Sequence, residues 1–138
     1  MNNNMNLEDS NVSDLKVIVV DDDAGVRRVI ARNFVREGFT VADAPNGEKA
    51  LEMINKEHFD IMICDISMPK MSGKELCEHL AAEGPYLPAC TCIVTSCADS
   101  EQRDWVSGIP GIDLIEKPVG PRQLLRHVKE RLMIGTIE

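Results

Sequence analysis

The chain has no long apolar run. Its longest stretches of consecutive hydrophobic residues, Val17–Val20 and Ile61–Cys64, are four residues each, whereas a membrane-spanning helix needs about 18 or more. Positive charge is also scarce: 15 Lys plus Arg stand against 23 Asp plus Glu, for a net charge of −8. Gripping nucleic acid or an anionic membrane by charge requires a basic surface that displaces counterions, so neither is an expected direct partner. No basic residue precedes Lys16, so the N-terminus reads as neither a signal peptide nor a transit peptide. Five cysteines, an odd number, without an export signal read as reduced thiols, and the expected location is cytoplasmic.

What is present suits one domain with a real core. The chain has 138 residues, 43% hydrophobic and 28% charged, within the usual size of a single domain and the usual composition of a soluble one. Residues 1–14 carry five Asn and three acids and read as a flexible tail; residues 15–138 read as the folded domain. From Leu15 onward, short β-like runs alternate with helix-like stretches. The expected strands are Lys16–Val20, Phe39–Ala42, Phe59–Cys64, Ala89–Thr95 and Ile112–Glu116. Val26, Ile30 and Phe34, with Val29 beside them, recur at helical spacing after the first strand. Asp22 or Asp23 can cap that helix and Gly38 can end it. Later helices follow Asn46-Gly47, Gly73, Asp99 and Pro121. Fully apolar strands indicate a sheet buried on both faces, hence parallel. Five β-then-α units make an α/β fold: a three-layer α/β/α sandwich around a five-stranded parallel sheet, commonly ordered 2-1-3-4-5 (flavodoxin-like).

In such a sheet ligands bind beyond the C-terminal ends of the strands. Those ends carry Asp21, Asp22 and Asp23 after the first strand, Asp43 after the second and Asp65 after the third. Thr95 and Ser96 follow the fourth, and Glu116, Lys117 and Pro118 the fifth. Adjacent strands are about 4.8 Å apart, so Asp21 or Asp22 should lie beside Asp65. Like charges 4 Å apart repel by about 4 kcal/mol at an effective dielectric of 20. A hard cation held by oxygen ligands relieves that repulsion, and Mg²⁺ suits the set. With Thr95 and Lys117 as donors, the pattern describes a site that handles phosphate with Mg²⁺ and offers a carboxylate nucleophile.

Four segments carry a resemblance: Val19-Val20-Asp21-Asp22-Asp23, Asp65-Ile66-Ser67-Met68-Pro69-Lys70-Met71-Ser72-Gly73, Val94-Thr95-Ser96 and Lys117-Pro118. Their separations from Asp21 through Asp65 and Thr95 to Lys117 are 44, 30 and 22 residues. In this order and spacing they resemble the receiver domain of two-component response regulators, from about Lys16 to Met133. The resemblance implies that residues 15–138 are a receiver and that Asp65 accepts a phosphoryl group from a histidine kinase or a histidine phosphotransfer protein. It implies Mg²⁺ held by Asp21, Asp22, Asp65 and the backbone carbonyl of Ser67. Lys117 would pair with the phosphoryl oxygens, Thr95 would bond them on activation, and the Lys117–Pro118 peptide would be cis. The protein would then catalyse only its own phosphorylation and dephosphorylation. The surface between the fourth and fifth helices would serve output, or a phosphorylation-dependent homodimer.

Other residues read more plainly. Asp23 is expected to cap a helix, and Trp105 to pack the fourth one. Cys90 and Cys92 share one strand face and read as small buried residues, and Cys97 lies at the site's edge. His58, His79 and His127 stand far from them in sequence, which predicts no zinc site. Leu114 occupies a place where receivers usually carry an aromatic residue, and Gly108-Ile109-Pro110-Gly111 departs from their small-residue pattern. Two other readings remain at this point. One is a degenerate receiver that only binds partners. The other is a haloacid-dehalogenase-type phosphatase, whose Asp-x-Asp signature Asp21-x-Asp23 imitates, although Gly25 breaks it and no cap domain is visible. The last helix should end near Met133, leaving either a stand-alone receiver or a piece of a longer regulator, with kinase and output unidentified.

Overall fold

The two apolar runs become central strands because only the middle of a parallel sheet is dry on both faces. A computed structural model describes residues 12–133. Its elements alternate as β1 (Lys16–Val20), α1 (Ala24–Arg36), β2 (Thr40–Ala44), α2 (Gly47–Lys56), β3 (Ile61–Asp65), α3 (Gly73–Ala82), β4 (Cys90–Thr95), α4 (Ser100–Ser107), β5 (Ile112–Glu116) and α5 (Pro121–Leu132). The sheet order is β2-β1-β3-β4-β5, and every pairing is parallel. Most of the expected tail lies outside the described residues; Val12–Asp14 form a 3-10 turn, and Val12 packs on the core.

Alternation along the strands divides the core in two. Ile18, Val20, Met62, Cys64 and Ile93 face α2, α3 and α4, where Ala50, Ile54, Leu76, Leu80 and Val106 meet them. Val17, Val19, Ile61, Ile63, Cys90, Cys92 and Val94 face α1 and α5 and pack on Ile30, Phe34, Leu124 and Val128. The helices start where polar side chains can satisfy free N–H groups. Asp23, Asn46 and Asp99 accept from Val26, Lys49 and Gln102, and Ser72 and Glu75 bond each other's backbones. Gly38, at φ 105°, takes the left-handed step after α1.

Several expectations change: β3 runs Ile61–Asp65, not Phe59–Cys64, and β4 starts at Cys90, not Ala89. The second strand runs Thr40–Ala44, not Phe39–Ala42. The Phe39 N–H still bonds the α1 carbonyl of Phe34, while pairing with β1 continues until Ala44 accepts from Asp21. Asp43 therefore lies within the strand rather than at its end. Val26 and Val29 are 42% and 46% exposed, not core. Each four-residue step along a helix overshoots one turn by about 40°, which puts Val26 at the margin of a face centred on Ile30 and Phe34, while Val29, about 100° from Ile30, lies outside it.

The motif glycine Gly73 has a steric reason. A Cβ there would lie 2.7 Å from the Asp65 carbonyl oxygen and 2.9 Å from Ile66 Cα, both backbone atoms that cannot swing aside. Gly73→Ala should therefore cost roughly 1–3 kcal/mol. At Gly108 the nearest atom to a new Cβ is 3.5 Å away, so Gly108→Ala should stay within about 0.5 kcal/mol of the parent. Urea unfolding of both variants checks the pair; equal midpoints would refute the close-packing argument.

Candidate functional site

The site follows from the β1–β3 register. Val20 pairs with Cys64, so the next residues, Asp21 and Asp65, emerge side by side. Asp22 joins them: one oxygen from each of the three carboxylates lies within 4.8 Å of the other two. Asp21 and Asp65 are only 6% and 9% exposed. Asp23 turns away to cap α1, its side chain accepting from the Val26 N–H, so it does not supply a second acid of an Asp-x-Asp pair. Its own N–H donates to Asp21 Oδ1 at 2.8 Å.

Lys117 approaches from the end of β5. Its Nζ lies 3.2 Å from Asp65 Oδ1, its N–H donates to the Thr95 carbonyl at 2.7 Å, and the peptide to Pro118 is cis. Thr95 ends β4, buried, at the same level. Its hydroxyl donates to the Cys97 carbonyl at 3.2 Å and accepts from the Cys97 N–H at 3.1 Å. Ser67 stands two residues beyond Asp65 on an exposed loop. That loop is tied down where Ile66 donates to Val94 and accepts from Gly73, and Ile66, Met68 and Met71 pack on the α2–α4 side of the core. The motif's apolar residues thus hold the loop beside Asp65.

The electrostatics follow from burial. Removal from water is the largest influence on Asp21 and raises its pKa, with Asp65 and Asp22 adding repulsion; the Asp23 N–H and Lys117 work the other way. The pocket is therefore short of positive charge, with Lys117 the cation in contact with Asp65. Beside it lies a cavity of about 320 Å³, walled mainly by Val26, Ile30, Val94, Val119 and Leu124 and opening on Asp21, Asp65 and Lys117.

Of the residues expected at the site, Asp21, Asp22, Asp65, Thr95, Lys117 and Ser67 all lie at the C-terminal edge of the sheet. Asp43, on the strand away from the switch point, binds a residue that sequence reading missed. Arg27 Nε donates to Asp43 Oδ2, and its NH1 donates to the Asp21 carbonyl, both at 2.8 Å. Arg27 thereby fixes the backbone that carries the first acid. An Arg one turn into α1 has no local signature; only the fold shows what it reaches. Trp105 packs against the core as expected and donates to Gln102. Leu114 is half-buried against the α2–α4 side, and Cys97 is exposed.

Three carboxylates and an ammonium gathered at strand ends are groups that can handle a phosphoryl group together with a cation. Comparison with known proteins agrees. The family model for the response regulator receiver domain matches residues 17–129. The response regulator MprA of Mycobacterium ulcerans is 33% identical over 126 residues, which cover 90% of this chain and 53% of that protein. The "Probable transcriptional regulator ycf27" of Porphyra purpurea is 33% identical over 119 residues, covering 85% and 47%. The chain thus spans about half the length of these curated relatives. Among solved structures, the chemotaxis protein CheY4 of Vibrio cholerae superposes with a TM-score of 0.77 at 26% identity, covering 84% of this chain and 97% of that one. A CheY-like receiver domain protein of Methanospirillum hungatei gives 0.75 at 32% identity, covering 86% and 94%. The register that gathers the acids, the lysine at the end of β5 and these likenesses together place this chain in the response regulator receiver domain family.

Proposed function

We propose that Asp65 accepts a phosphoryl group from the phosphohistidine of a sensor histidine kinase or histidine phosphotransfer protein, and that the acyl phosphate switches partner binding. The observation that carries this is Lys117 Nζ on Asp65 Oδ1 at 3.2 Å, with two further carboxylates in reach. An Asp65 carboxylate oxygen attacks phosphorus, the P–N bond to the donor imidazole breaks, and the imidazole leaves with the bond's electron pair. Lys117 moves its charge from the carboxylate to a phosphoryl oxygen. All the donors are hard oxygens, which fits Mg²⁺ held by Asp21, Asp22, Asp65 and the Ser67 carbonyl; the bound ion supplies positive charge for the equatorial oxygens. To bond the phosphoryl group, Thr95 gives up its contacts with the Cys97 backbone, which couples the acceptor to the loop before α4.

An apolar patch beside the acceptor supports a protein donor. Val29, Val119 and Pro121 line a shallow cavity of about 310 Å³ next to the acceptor cavity, sharing Val26, Ile30 and Val119 with it. A helical donor can bury these exposed valines while presenting its histidine to Asp65. The relatives' names support transcriptional control as an output, exerted through a separate domain or partner rather than by this acidic domain, with a phosphorylation-dependent homodimer across α4 and α5 as one form of the switched state.

With Mg²⁺ and a small acyl-phosphate donor, the intact mass should rise by one phosphoryl group. That gain should vanish in Asp65→Asn and under chelation; no gain, or an equal gain in the variant, refutes the assignment. Repeated turnover of a phosphomonoester would point instead to a phosphatase, and partner affinity unchanged by phosphorylation to a pure binding module.

Asp21→Asn keeps the oxygen that accepts from Asp23 while removing a buried charge. An acid whose folded pKa is raised loses stability as pH rises through and above its ordinary value of 3.8. The variant should therefore melt higher than the parent at neutral pH under chelation, and the gap should close as pH falls below that value. Added Mg²⁺ should stabilise the parent but not the variant. Melting curves at several pH values check both signs.

Val29→Glu should slow transfer from the cognate phosphohistidine protein by about tenfold, equivalent to ~1.4 kcal/mol of lost contact. Labelling by a small acyl phosphate should be unchanged. Equal slowing of both reactions would place the fault in the acceptor site rather than in docking.

A further inference from the structure

Two buried thiols lie beneath a histidine–aspartate pair on the α5 side of the sheet, away from the acceptor. Cys90 and Cys92, both fully buried, lie two residues apart on the same face of β4 and in the same core cluster. Cys92 pairs in register with Asp113 of β5. His127 of α5 places Nε2 2.9 Å from Asp113 Oδ2. One donor atom each from Cys92, Asp113 and His127 lies within 4.8 Å of the other two. The expectation that no histidine approaches these cysteines is thereby corrected: α5 crosses β4 and β5 and delivers His127 from 35 residues beyond Cys92.

We propose that Cys92, Asp113 and His127, with Cys90 as the fourth donor, form a binding site for Zn²⁺. Sulfur and imidazole donors select a borderline-soft ion over Mg²⁺. Bonds of about 2.0–2.3 Å put tetrahedral donors roughly 3.5 Å apart, so Cys92, Asp113 and His127, already within 4.8 Å of one another, need only small side-chain shifts, while Cys90, two residues before Cys92 on the same strand face, has to turn towards them. Binding replaces the two thiol protons, which pass to solvent, and uses His127 as the neutral imidazole. Two thiolates, one carboxylate and Zn²⁺ sum to one negative charge. Arg131 balances it: its NH1 lies 2.9 Å from Asp113 Oδ2 and its NH2 3.4 Å from the Ala89 carbonyl oxygen, which orients the carboxylate as outer partners of metal ligands do. Asp113 and His127 are partly exposed, which opens a path for the ion, while the thiols remain dry. The bound ion would tie α5 to the starts of β4 and β5 and stabilise the fold by mass action.

Co²⁺ is the probe, added to the reduced, chelator-treated full chain. The parent should bind one equivalent with a sulfur-to-cobalt charge-transfer band, which Zn²⁺ abolishes and excess Mg²⁺ does not. Asp65→Asn should keep the band, separating this site from the acceptor. Cys92→Ser and His127→Gln should each weaken binding at least tenfold, and Arg131→Gln roughly 10–100-fold, the usual effect of losing an outer partner. Circular dichroism checks that each variant is folded; His127→Gln, on a partly exposed helix position, remains informative if Cys92→Ser unfolds. No band in the parent, a band unchanged in folded His127→Gln, or one lost on replacing the exposed Cys97 would overturn the proposal.

Discussion

The cluster of carboxylates at the C-terminal edge of the sheet depends on the parallel pairing of β1 with β3. Val20 opposite Cys64 forces the next two residues, both aspartates, to emerge together at the edge of a dry sheet. Burial then keeps water from screening them, which is why Asp21 holds its proton more tightly than an ordinary aspartate. The apolar packing of β1 and β3 on both faces is what keeps mutually repelling groups together. The crowding also brings Lys117 against Asp65, an ammonium beside three clustered carboxylates.

Around that pair, the rest of the site is a set of constraints on backbone position. Arg27 pins the Asp21 carbonyl from α1. Gly73 lets α3 close onto the backbone of Asp65 and Ile66. Lys117 is anchored through its N–H to the Thr95 carbonyl, so the two residues at the ends of β4 and β5 move as neighbours. The Thr95 hydroxyl, held by the Cys97 backbone, ties the end of β4 to the loop that starts α4. Leu114, at the place where receivers usually carry an aromatic ring, is half-buried and packs on the α2–α4 side of the core.

The two ends of the strands separate two kinds of chemistry. The C-terminal edge gathers oxygens and an ammonium. The α5 face nearer the starts of β4 and β5 gathers sulfur, imidazole and a carboxylate. Both collections arise from side chains on adjacent parallel strands, but they suit different ions because hard oxygen sets favour Mg²⁺ whereas thiolate and imidazole favour Zn²⁺. Placing the second set on α5 gives one helix a connection to both β4 and β5.

The five strands, the helix starts and the clustering of acids at strand ends were legible in the sequence, because each rests on local pattern: apolar runs for buried strands, Asp, Asn or Ser before a helix, acids directly after a strand. Parallel topology then leaves little choice about which strand ends meet. The details that depend on how far pairing extends or how a helix is rotated were not legible. Thus β2 continues to Ala44, Val26 and Val29 sit outside the core, Arg27 reaches Asp43, and His127 meets Cys92. By itself the sequence determined the fold class and the carboxylate cluster, since period and strand-end position are properties of neighbouring residues. Only the tertiary structure decided the α1 surface and the thiol–imidazole cluster, since the rotation and crossing of α1 and α5 are set by packing between residues far apart in the chain.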